Sequence, residues 1–102
     1  MTPRRVAITG IGVFSACGRN LGAFWDSMKA GRAGIVPLEG LPGLRITTGA
    51  QITGYSAAQY LQPKEIDTID RFAQYGLIAA REAVASAAVE WTPQLRLTTG
   101  VI

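Results

Sequence analysis

The 102-residue sequence has no histidine, a single cysteine and no long hydrophobic run. Each lack excludes a class of chemistry. Without imidazole the chain supplies no Ser-His-Asp triad, no Cys-His pair and no histidine metal ligand. One thiol, Cys17, makes neither an internal disulfide nor a cysteine zinc site, and a lone cysteine fits a reducing compartment. Charge is sparse too: 17% of residues are charged, where about a quarter is usual in soluble domains. With 48% apolar residues the composition is still that of a folding chain. Uncharged apolar-rich runs such as Phe72 to Ala80 fall well short of the about 20 residues a membrane span needs. After Arg4-Arg5 only Val6-Ala7-Ile8 precede Thr9 and Gly10, too little for a secretory signal. The expectation is a cytoplasmic chain with no membrane partner.

The net charge of +3 does not point to nucleic acid. Arg4, Arg5, Arg19, Lys29, Arg32, Arg45, Lys64, Arg71, Arg81 and Arg96 are scattered, whereas phosphate-tracking surfaces cluster Lys and Arg with aromatics between them.

What is present reads as α/β. Arg5 to Thr9 is an apolar run ended by Gly10, the pattern of a buried strand. Gly10-Ile11-Gly12 turns the chain into a loop. Asn20 is a good N-cap, and Leu21, Phe24, Trp25 and Met28 form one apolar helical face ended by Gly31, so a helix is expected over about 21–30 with that face in the core. Residues 31–43, rich in Gly and Pro, are loop. From Leu44 to Ile52 apolar and polar residues alternate, the period of a half-exposed strand. Pro63 suits the first position of a short helix through about Ile69. A second helix is expected from about Asp70 to Ala88. It is small and apolar on most faces, as if enclosed by other elements. Pro93 breaks the chain, and a strand is expected from Leu95 to Ile102. The enclosed-looking helix and the final apolar run both read as part of something larger.

Three constellations invite a site. Gly10-Ile11-Gly12 after a strand suggests a dinucleotide turn, but position 15 is Ser, the helix starts near Leu21, and the nearest acid for a ribose is Glu39 in a Gly/Pro loop. A tight turn off a buried strand is the simpler account. Cys17 has only Arg19 nearby as a cation and no base, which favours a small packed residue over a nucleophile. Asp67 and Asp70, three apart, read better as helix-start acids than as an acid/base pair.

The motifs as a set resemble the opening of β-ketoacyl-acyl-carrier-protein synthases. Arg4 to Gly12, then Gly18, Phe24-Trp25 and Ala30-Gly31-Arg32-Ala33-Gly34-Ile35 match that family's first strand, helix and turn in order. Ile69-Asp70-Arg71-Phe72-Ala73-Gln74-Tyr75-Gly76 is similar to its M-D-x-F-x-Q-Y helix, continued by Ala79-Ala80-Arg81-Glu82-Ala83, and Gly100-Val101-Ile102 is similar to the start of a later strand. The resemblance implies a thiolase-like layered sheet–helix sandwich, of which residues 1–102 are an incomplete N-terminal part, assembled as a homodimer. It implies an acyltransferase that condenses an acyl group with malonyl-acyl-carrier-protein in fatty-acid or polyketide synthesis, releasing carbon dioxide. Its partners are acyl carrier protein and acyl and malonyl thioesters, and no cofactor or metal is implied.

No catalytic residue carries over: the family's reactive Cys and two His have no counterpart in this chain, and Cys17 falls in the first loop. The resemblance does imply carrier docking on basic residues of the short helix before M-D-x-F. Lys64 matches one such position, Arg71 adds a second cation, and Asp67 and Thr68 stand where Arg or Lys is common. Two alternatives stay open: a catalytically inactive dimer partner of the same family, and a nicotinamide-binding oxidoreductase fragment using Gly10–Gly12.

Overall fold

In the computed structural model, residues 2–102 are described. Helix α1 runs Leu21–Ala30. Asn20, in extended backbone, accepts the Ala23 N–H on its side chain at 2.8 Å, and Gly31 at φ 67° closes the helix with its N–H on the Met28 carbonyl at 3.2 Å. Strand β1, Val36–Pro37, pairs antiparallel with β2, Thr48–Gly49, with Val36 opposite Gly49. A 3-10 turn spans Ala57–Gln59, and three helices follow: α2, Pro63–Thr68, α3, Arg71–Ala87, and α4, Pro93–Leu97.

Five expectations are corrected. Residues 31–43, expected to be loop throughout, contain strand β1, because the Val36–Pro37 backbone finds a partner in Thr48–Gly49. Residues 5–9 belong to no ladder, and Val6 and Ile8 are 92% and 83% exposed. A strand needs a neighbouring edge, and the described residues offer this one none. The alternating segment 44–52 shrinks to Thr48–Gly49, because its partner contains Pro37, which has no N–H to donate. Beyond that pair the side chain of Gln51 continues the contact, accepting the Glu39 N–H at 2.9 Å and donating to the Glu39 carbonyl at 3.0 Å. Residues 93–97 are helical rather than the start of a strand: Thr92 caps the Leu95 N–H at 3.1 Å, and Pro93 occupies the first helical position. The apolar face of α1 is not its inner face. Trp25, Met28 and Leu21 are exposed, while Ser27 is buried and donates to the Cys17 carbonyl at 2.6 Å. Gly18 lets the 15–18 loop lie directly on the backbone of Ala23 and Phe24.

Gly10 and Gly12 also have a role other than the turn. Neither has a positive φ. A Cβ on Gly12 would collide with the Ala79 carbonyl, and one on Gly10 with the Ala83 carbonyl. Residues 10–12 therefore lie backbone to backbone on α3. Polar groups complete the seam: Ile11 N–H donates to Ser86 Oγ at 3.2 Å, and Val13 N–H to Glu82 Oε1 at 2.8 Å. Two residues of extended chain advance about 6.6 Å and four residues of helix about 6 Å, so alternate amides meet successive turns. The small residues of α3 make room for this contact.

Apolar burial is thin. Leu61 is the one buried hydrophobic side chain among the described residues. The radius of gyration, 17.4 Å, exceeds the about 13 Å expected of a compact domain this long. The best-packed region is a ring cluster: Phe14 stacks on Tyr75 at 5.1 Å, and Tyr55 meets Tyr75 edge-on at 4.9 Å. Tyr60 joins both Phe14 and Tyr55.

Candidate functional site

The corner between α2 and α3 holds the two cations singled out by resemblance. α2 starts because Pro63 is pre-set at its first position and Glu65 Oε2 accepts the Gln62 N–H at 2.9 Å, half of a capping box. Lys64 follows Pro63 and is exposed, as is Asp67 on the same helix. Ile69 and Asp70 break the helical path, and Arg71 opens α3.

The D-R-F-x-Q-Y stretch is a packing device around Tyr55. The Arg71 guanidinium lies over the Tyr55 ring at 5.7 Å. The Tyr55 hydroxyl donates to Gln74 Oε1 at 2.8 Å, and Gln74, buried, donates from Nε2 to the Ile69 carbonyl at 3.1 Å. Desolvation, with Tyr75 alongside, raises the Tyr55 pKa above the usual phenol value, so this hydroxyl stays a donor. Phe72, between Arg71 and Gln74, is 77% exposed.

Charge pairing separates the cations of this corner. Arg81 forks onto Glu65, with Nη1 donating to Oε2 at 3.3 Å and Nη2 donating to Oε1. The hydrogen bonds from Arg81, then from the Gln62 N–H, hold the Glu65 carboxyl below the usual glutamate value. Lys29 pairs with Asp26 at 3.3 Å. Among the described residues neither Lys64 nor Arg71 has a carboxylate partner. Arg71 turns toward Tyr55 and borders an open cleft of about 430 Å³ with Glu39, Gln51 and Thr53.

The other sequence candidates do not assemble into a site. Cys17 is half-buried in the 15–18 loop beside a cleft of about 260 Å³, and its N–H donates to Ser15 Oγ at 3.2 Å. Asp70 is the N-cap position of α3 but makes no capping hydrogen bond, and Asp67 lies late in α2 rather than at its start. Gly10 and Gly12 face α3, which leaves no cradle for a pyrophosphate. Among the described residues no cluster of His, Cys, Asp or Glu suits a metal, and no helix is long and apolar enough to cross a membrane. Sequence reasoning missed Glu65, Arg81, Glu82 and Gln74. Only Glu65 carried a local signal, two positions after a proline at a helix start.

Comparison with known proteins gives a consistent answer. The family described as "Beta-ketoacyl synthase, N-terminal domain" matches residues 3–102. The 3-oxoacyl-[acyl-carrier-protein] synthase 2 of Vibrio cholerae is 30% identical over 99% of this chain and 25% of its own length. Nodulation protein E of a Rhizobium strain is 38% identical over 82% of this chain and 21% of its own. The tetracenomycin polyketide synthase ketoacyl synthase beta subunit of Streptomyces glaucescens is 28% identical over 98% of this chain and 25% of its own. The chain thus spans about a quarter of the length of the curated relatives it matches.

Proposed function

This chain belongs to the β-ketoacyl synthase N-terminal domain family, and from that membership we propose that residues 1–102 are the N-terminal segment of a 3-oxoacyl-acyl-carrier-protein synthase. The enzyme is an acyltransferase that joins an acyl group to malonyl-acyl-carrier-protein with loss of carbon dioxide, in fatty-acid or polyketide synthesis. The observation that carries this reading is the match of the family over residues 3–102, together with a synthase relative aligned over 99% of the chain. In this reading the segment is scaffold. Its lack of histidine means that proton transfer and oxyanion binding by imidazole come from elsewhere in the enzyme.

The backbone contact of residues 10–13 with α3 supports one sheet–helix layer of a thiolase-like sandwich. Homodimer assembly and a cytoplasmic location go with the reading. Lys64 and Arg71 are the proposed docking cations for an acidic acyl carrier protein, and their lack of carboxylate partners among the described residues supports the assignment.

A second reading is a catalytically inactive partner subunit, favoured by the likeness to a ketoacyl synthase beta subunit. One experiment separates the two. The intact gene product is incubated with acyl-carrier and malonyl-carrier, and ketoacyl-carrier and carbon dioxide are measured. Product from the purified protein alone supports the synthase. Product only after a sister subunit is added supports the partner reading. No product in either case refutes both.

A further inference from the structure

α2 has six residues, too few to hold a helix or a direction unaided. One carboxylate both caps it and ties it to α3. Glu65 closes the first turn by accepting the Gln62 N–H at 2.9 Å, and the same carboxylate receives both terminal nitrogens of Arg81 from the third turn of α3. The Glu65 side chain is 28% exposed and that of Arg81 50%. So exposed a pair adds little to stability. A guanidinium fork on a carboxylate, however, fixes angle as well as distance, which a lysine ammonium does not.

Lys64 immediately precedes Glu65, and Arg71 stands on the same helix as Arg81. The fork therefore ties the element carrying one proposed docking cation to the element carrying the other. We propose that Glu65 and Arg81 are positioning residues for carrier recognition: their fork sets the direction of Lys64 relative to Arg71, and with it the charge geometry met by an acidic carrier surface. This inference rests on the docking reading above.

The test is the association rate of acyl carrier protein with the intact gene product at low and moderate ionic strength. The proteins compared are the wild type, Lys64→Glu, Arg81→Lys and the double variant. Arg81→Lys keeps the net charge, so long-range steering is unchanged, but it loses the fork. Expected is a slowing of about threefold at low salt, with an unchanged melting temperature. In the Lys64→Glu background, Arg81→Lys should add no further slowing. Equal slowing in both backgrounds, or none in either, overturns the positioning role while docking at Lys64 stands. If Lys64→Glu itself leaves the rate unchanged, docking at α2 is refuted and this inference with it.

Discussion

Glu82, about two-thirds of the way along α3, holds the backbone N–H of Leu21, the first residue of α1, between its two carboxylate oxygens at 3.1 and 3.0 Å. One of those oxygens also accepts the Val13 N–H at 2.8 Å. A helix begins with unpaired donors and a partial positive charge, so a carboxylate from another element suits that end. Asn20 satisfies Ala23, and Glu82 supplies what Asn20 does not reach. Glu82→Gln keeps the shape and removes the charge. It should destabilise the intact gene product by about 1–2 kcal/mol in chemical denaturation and speed amide exchange at Leu21 and Val13. Unchanged exchange at both amides would refute the role.

The seam between the amino-terminal segment and α3 makes a harsher demand. Gly12→Ala places a methyl group on the Ala79 carbonyl, where the obstacle is backbone and cannot rotate away. The expected loss is about 3 kcal/mol or more, read as a lowered denaturation midpoint. Gly76→Ala is the control: a Cβ at Gly76 meets nothing within 4 Å, and alanine raises helix propensity by about 1 kcal/mol. Equal effects of the two substitutions would contradict the seam.

α3 ends at Ala88 with φ 51°, a left-handed conformation that a Cβ disfavours. Ala88→Gly should stabilise by about 1 kcal/mol, measured as a raised denaturation midpoint. A loss of stability would mean that the helix ends otherwise.

Carrier docking predicts opposite effects from two neighbouring charges. Lys64→Glu should slow association of acyl carrier protein with the intact gene product, more at low salt, where screening is weak. Asp67→Arg should speed it by removing an acid and adding a base on the same short helix. Surface-plasmon rates at two ionic strengths read both. If neither substitution moves the on-rate, the carrier docks elsewhere.

The fork on Glu65 carries a pH signature. Arg81 and the Gln62 N–H favour the charged carboxylate, so its folded pKa lies below the unfolded value. Its contribution is present above the ordinary glutamate range and is lost as pH falls through the lowered folded value. Amide protection in α2, the intrinsic exchange rate at each pH divided by the observed rate, should therefore be constant near neutrality and fall in acid, with that step absent in Glu65→Gln. Identical acid steps in both proteins would rule out the linkage.

Local signals in the sequence foretold local structure. Asn20 and Gly31 bracket α1, Pro63 opens α2, and the run after Asp70 is α3 to within a residue of its end. The strands were poorly legible because a ladder belongs to two segments, and periodicity describes one. Alternation over 44–52 could not reveal that Pro37 would face Thr48. Thr92-Pro93 was a readable helix start hidden by the apolar residues after it. The motifs Gly10-Ile11-Gly12 and Arg71-Phe72-Ala73-Gln74-Tyr75 were visible as strings. Their purposes, a backbone contact and a ring cluster, depend on residues far away in the chain.

That distance has a consequence during synthesis. Ile11 and its acceptor Ser86 are 75 residues apart. At ribosomal speeds of about 5–20 residues per second, roughly 4–15 s pass between making one and making the other. Through that interval the Ile11 and Val13 amides have no helix to donate to, so a segment made early is among the last to settle. A nascent chain of this kind is most vulnerable to wrong pairing before α3 emerges, and slower translation across residues 71–87 would lengthen the exposure.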